Sequence, residues 1–111
     1  MSAYLDATPR DQVADGLFCL DDECAIAAMH ALKDHGIRVP GDIAVVGCDD
    51  IEDSSYQSPT LSTVAYPYDR VARVAWAMLR RRMAHPEAEL QGLIVEPDLI
   101  VRGSSATKAT F

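Results

Sequence analysis

The run Ile43-Ala44-Val45-Val46-Gly47-Cys48 constrains this chain more than any other, because it is apolar or small throughout and then breaks off into paired carboxylates, Asp49-Asp50. Bounded by Pro40-Gly41 on one side and by charge on the other, it reads as a strand covered on both faces, the pattern of a parallel sheet. Gly16-Leu17-Phe18-Cys19-Leu20 repeats the pattern and also ends in acids, Asp21-Asp22-Glu23. Between the two runs, Ala25, Ala28, Met29 and Leu32 recur at helical spacing, Asp21 or Asp22 can cap the start, and Gly36 supplies a left-handed stop. Strand, helix and strand make a right-handed crossover unit with parallel strands. Asp21 and Asp49 then emerge on one edge of the sheet, where open α/β sheets bind ligands.

The flanking segments extend this picture. Ala3-Tyr4-Leu5 is a fragment of helical pattern cut off by Thr8-Pro9, expected to be the tail of a longer helix. Ile26 and His30 lie off the main helical stripe, which suggests contact with something besides the sheet. After a polar loop, Leu61 to Tyr66 alternates like a strand and Pro67 closes it. From Tyr68 to Ala84, Val71, Val74, Ala75, Met78 and Leu79 form a helix face, with Arg70, Arg73, Arg80 and Arg81 mainly opposite. Leu93-Ile94-Val95-Glu96 and Leu99-Ile100-Val101-Arg102 read as two short strands around Pro97.

Composition removes several functions. A net charge of −7 over 111 residues, with Arg80-Arg81-Arg82 as the basic cluster, argues against this chain gripping nucleic acid itself. The length allows one small domain, short for a doubly wound sheet. Cys19, Cys24 and Cys48 have no metal-ligand spacing and read as reduced core thiols of a cytosolic protein. The start carries no basic leader, and no apolar span is long enough for a membrane, so a soluble, unexported chain is expected. The acids at the strand ends could instead hold magnesium for phosphoryl transfer, but Asp-x-Asp is missing at both strand ends. His30, His35 and His85 have no nucleophile in a plausible triad. No enzyme, metal or cofactor is expected.

The order of motifs resembles the effector-binding part of the LacI/GalR family of transcriptional regulators. The matching residues are Asp21-Asp22-Glu23, then Ala25 to Met29, Gly36 to Asp50, Pro59-Thr60-Leu61-Ser62-Thr63-Val64, a helix with Ala72, Ala75 and Leu79, and Leu99-Ile100-Val101-Arg102-Gly103-Ser104-Ser105. The series spans about residues 16 to 105. Exported sugar-binding proteins share the fold and are the alternative, but Pro-x-Leu-Ser-Thr-Val and Val-Arg-Gly-Ser favour the regulator branch. The resemblance implies an open parallel sheet, part of a periplasmic-binding-protein-like (type I) fold. Residues 1–66 and 97–105 would belong to its C-terminal subdomain, 67–96 would be a crossing segment and a helix of the N-terminal subdomain, and 106–111 a tail. The DNA-binding headpiece is expected to be absent, so that operator DNA would be bound only through a part outside this chain.

By the same resemblance, Asp49 accepts hydrogen bonds from the hydroxyls of a sugar or nucleoside effector, a task that suits a carboxylate. Asp21 stands where many members carry an effector-contacting Asn, so Asp there departs from the pattern and would require donors on the ligand. Tyr66, in a crossing segment, could stack on a sugar face. The family also forms homodimers, which here would use Ile26, Met29 and His30 with the segment Ser54, Ser55, Tyr56 and Gln57.

Overall fold

In the computed structural model, which describes residues 1–106, strand β2 (Ala44–Cys48) lies between β1 (Gly16–Phe18) and β3 (Ser62–Ala65), with β4 (Asp98–Ile100) beyond β3. Pairing is parallel on both sides of β2: Phe18 is opposite Val46 on one flank, and Val46 opposite Ser62 and Cys48 opposite Val64 on the other. The expected parallel sheet is therefore present. Three helices accompany it among the described residues, α1 (Ser2–Ala7), α2 (Asp22–Asp34) and α3 (Tyr68–Ala84), with 3₁₀ turns at Arg10–Gln12 and Glu52–Tyr56.

The helix α2 forms for reasons visible in its sequence. Asp21 sits in extended backbone and its carboxylate accepts the Cys24 N–H at 2.6 Å, satisfying one of the orphan donors of the first turn. At the other end Gly36 adopts φ +68°, which a Cβ would disfavour. Ala25, Ala28, Met29 and Leu32 are buried against Leu5, Ile37, Ile43, Val45 and Leu61. Arg38 then grips Asp42 through its backbone N–H, Nε and Nη2 at 2.8, 3.0 and 2.6 Å, which fixes the loop leading into β2.

The chain divides into two compact units, one of residues 1–65 with the segment from Leu99 onward, the other of Tyr66–Asp98. In the first, one face of the sheet is covered by α2 and the other only in part, where Cys48 and Ser62 are buried. Val45 and Gly47 are buried under α2, whereas Phe18 and Leu20 are 65% and 84% exposed and Val46 is half-buried. The reason is supply: α2 is the single long helix among the described residues of this unit, and it can cover one side. The thiols also part company, since Cys19 and Cys48 are buried but Cys24 is exposed on the first turn of α2.

The segment after β4 closes the first unit. Ser104 enters between the amino ends of β2 and β3: its carbonyl accepts the Val45 N–H at 2.9 Å, its N–H donates to the Thr60 carbonyl at 2.8 Å, and its hydroxyl donates to the Val45 carbonyl at 2.6 Å. The same hydroxyl accepts the Ser62 N–H at 2.8 Å. Ser104 thus supplies, from one residue, the partners that neighbouring strands would otherwise exchange. Gly103 is needed beside it, because a Cβ there would lie 3.1 Å from Pro59 Cβ and 3.3 Å from Thr60 Oγ1.

In the second unit, α3 starts after Pro67, and Arg82 folds back to donate to the carbonyls of Pro86 and Ala88 at 2.6 and 2.8 Å. No residue of α3 is buried. Residues 93–96 are not a strand. They run as irregular backbone with Ile94 almost fully exposed, since strand propensity without a partner ladder does not hold a strand. Of the expected tail, 106–111, residues 107–111 lie outside the described residues.

Candidate functional site

Asp49 is the first residue beyond β2, and its backbone takes φ +110°, followed by Asp50 at +54°. Both values lie where L side chains are disfavoured, and two in succession store strain that surrounding contacts must hold. Those contacts are specific. The Asp49 N–H donates to the Val64 carbonyl at 2.8 Å, the Asp50 N–H to Thr63 Oγ1 at 3.2 Å, and the Ile51 N–H to Asp22 Oδ2 at 3.0 Å.

Asp22 is the centre of this arrangement. It is fully buried at the first position of α2, and its Oδ1 accepts the Thr63 hydroxyl while its Oδ2 accepts the Ser54 hydroxyl, each at 2.6 Å. With the Ile51 N–H, a buried carboxylate has three donors, which is what makes its burial tolerable. A little further along, the Asp50 carboxylate accepts Arg102 Nη2 at 2.7 Å, and Arg102 Nη1 donates to the Leu61 carbonyl at 3.0 Å.

What remains is Asp49 itself. Its carboxylate is half-buried and has no hydrogen bond among the described residues. An ionised carboxylate is acceptor-only, so a group presented in this way can accept from hydroxyl or amino donors of a ligand at the strand edge. Asp21 lies beyond the neighbouring parallel strand on the same edge, but its Oδ1 is engaged in capping α2. That bond from the Cys24 N–H holds the Asp21 carboxyl below the ordinary carboxylate range. Tyr66 begins the second unit, where its ring is tilted 59° to that of Tyr68 with centroids 6.0 Å apart.

The residues expected at a dimer contact are placed unequally. Met29 is in the core, Ile26 packs partly against it, and Ser54 is buried with its hydroxyl turned inward to Asp22. His30, Ser55 and Tyr56 are exposed and Gln57 is half-buried. The structure nonetheless brings the helix and the loop together, since Met29, His30 and Gln57 line one groove of about 420 Å³. Among the described residues, no cluster of three His, Cys, Asp or Glu side chains is arranged to hold a metal, and no helix is long and apolar enough to cross a membrane.

Sequence reasoning missed Asp22, Ser54, Thr63 and Arg102 as parts of the site. One signal was available, the doubled acid: if Asp21 caps the helix, Asp22 must go elsewhere.

Residues 2–105 match the periplasmic binding protein-like domain family. Among curated proteins, the chain is 35% identical over 88 residues to the ribose operon repressor of Haemophilus influenzae, covering 79% of this chain and 26% of that protein. It is 37% identical over 92 residues to the HTH-type transcriptional repressor PurR of Aliivibrio fischeri, covering 83% and 27%. Among solved structures, a LacI family transcriptional regulator from Arthrobacter sp. FB24 in complex with lactose superposes with a TM-score of 0.81 at 30% identity, over 95% of this chain and 38% of that one. The chain thus spans about a quarter of the length of the curated relatives it matches.

Proposed function

Since the chain belongs to the periplasmic binding protein-like family, in its LacI/GalR branch of transcriptional regulators, we propose that it forms part of the effector-sensing module of such a regulator, with Asp49 as the residue that accepts hydrogen bonds from a small polyhydroxylated ligand, a sugar or nucleoside. The observation that carries this reading is the state of Asp49: a carboxylate without a hydrogen bond among the described residues, on strained backbone, at the carboxyl edge of a parallel sheet. The lactose held by the Arthrobacter regulator supports the ligand class.

In this reading Asp21 and Tyr66 contribute further contacts, residues 1–66 and 97–105 serve as part of a C-terminal subdomain, and 67–96 associate with an N-terminal one. Two copies pair through His30, Ser55, Tyr56 and Gln57, with Ile26, Met29 and Ser54 beneath. Operator DNA is bound through a headpiece outside these residues, the protein works in the cytoplasm, and it catalyses no reaction.

Calorimetric titration with lactose, D-ribose and a purine nucleoside tests the proposal. One of them should bind, and Asp49→Ala should weaken it by about 1.5–3 kcal/mol, the range for a charge-assisted hydrogen bond. Equal affinity in the variant would overturn the assignment.

A further inference from the structure

We propose that Arg102 is a positioning residue for effector binding: by holding the carboxylate of Asp50, it fixes the strained turn that aims Asp49 at the ligand. This rests on the reading of Asp49 given above and adds to it a residue 53 positions further along the chain.

The argument begins with the backbone. An Asp at φ +110° followed by another at +54° relaxes to ordinary conformations unless both residues are tethered. The amides of Asp49, Asp50 and Ile51 are tethered by Val64 and Thr63 of β3 and by Asp22 at the start of α2. Among the described residues, one side chain of the turn is itself anchored by a hydrogen bond, that of Asp50, and its anchor is Arg102 at 2.7 Å. Without that bond, the Asp50 carboxylate is free to turn to solvent and draw Asp49 with it.

Arg102 is built to serve as a fixed point. Its N–H donates to Ser62 Oγ at 2.7 Å, and its carbonyl accepts from the same hydroxyl at 3.1 Å. Nη1 donates to the Leu61 carbonyl at 3.0 Å, which orients the planar guanidinium before Asp50 is met. A cation held by the Leu61 carbonyl, on a backbone pinned by the Ser62 hydroxyl, confers geometry as well as charge, which a flexible lysine would not fully reproduce.

Two readouts on the full protein separate positioning from mere support. The first needs no ligand: amide hydrogen exchange in Arg102→Ala should accelerate about tenfold or more at Asp50 and Ile51, while Ala28 and Leu32 in α2 keep their protection, as expected for local and not global opening. The second is affinity for lactose, D-ribose and a purine nucleoside, which should fall about tenfold for whichever binds, the fold-change of one charged hydrogen bond. Arg102→Lys should recover part of both effects. If Arg102→Ala does not fold, Asp50→Asn removes the charge pairing with Arg102 left on Leu61, and must show the same local acceleration. Unchanged exchange at residues 50 and 51, or acceleration spread evenly through the unit, would overturn the proposal. If none of the three binds, or Asp49→Ala binds as well as the parent, the site reading fails instead, and the exchange pattern still decides the role of Arg102.

Discussion

Gly47 and Asp22 compete for one volume: a Cβ on the glycine would overlap the Asp22 carboxylate and would stand 3.2 Å from both Asp22 Cα and Ala25 Cβ. The carboxylate cannot step aside, because Ile51, Ser54 and Thr63 hold it. The glycine in the central strand is therefore a condition for burying an acid at the start of α2.

Gly47→Ala should consequently destabilise the protein by roughly 1–3 kcal/mol, the cost of overpacking a closed site. Asp22→Ala should cost about 3 kcal/mol by leaving three donors unpaired. In the double variant the alanine at 47 fills vacated space, so the two losses should be clearly less than additive. Urea unfolding of the four proteins measures this, and strict additivity would contradict the shared volume.

Asp49→Gly should separate stability from function. Glycine adopts φ +110° without a Cβ penalty, so the variant should gain about 1 kcal/mol while losing effector binding. A variant less stable than the parent would show that the turn is not strained as described.

Much of the fold could be read from periodicity alone. The helices α2 and α3 and the strands β1 to β3 fall where apolar spacing and the Gly and Pro stops put them, because those signals are local. At the carboxyl edge, the placement of Asp21 and Asp49 was legible, and the network around Asp22 was not. Either Asp21 or Asp22 could cap α2, and what decides between them is remote: the space at Gly47, and hydroxyls 32 and 41 residues further along. The expectation of two covered faces held only in part, for a similar reason. An unbroken apolar run says that a strand can be buried on both sides, but the covering helices must come from elsewhere.

That difference has a direct test in neighbouring valines. Val45→Asp places a charge in a fully buried position under α2 and should prevent folding, as an unpaired buried charge costs several kcal/mol. Val46→Asp, half-buried on the partly covered face, should leave a folded chain. Circular dichroism and melting of both variants measure this; equal loss would mean that the second face is also closed.

The pH dependence near neutrality should come from His35. Nε2 lies 3.0 Å from Asp6 and Nδ1 lies 2.8 Å from the Ala31 carbonyl, so both ring nitrogens face acceptors and favour the imidazolium. The Asp6 contact first, and then Ala31, raise the pKa above its ordinary 6.5. Because the folded value is the higher one, the stabilisation is complete below about pH 6.5 and is lost as pH rises through the raised value. Asp21 and Asp42 have the opposite sign, with pKa values held below 3.8 by Cys24 and Arg38, and their contributions fade only in stronger acid. Melting temperature should therefore decline modestly from pH 5.5 to 8, and less so in Asp6→Asn. An identical slope in the variant would remove His35 as the cause.

The insertion of Ser104 between β2 and β3 also sets an order in time. Its partners Val45 and Ser62 are 59 and 42 residues earlier in the chain, so during synthesis both strands leave the ribosome before the residue that joins their amino ends exists. The first unit must wait, with polar backbone at that seam open to water, until Ser104 has been translated. Its final folding step is thereby tied to the emergence of residues 102–105, and nascent chains halted before Arg102 should be more readily cut by protease than chains extended until Ser105 has left the ribosome.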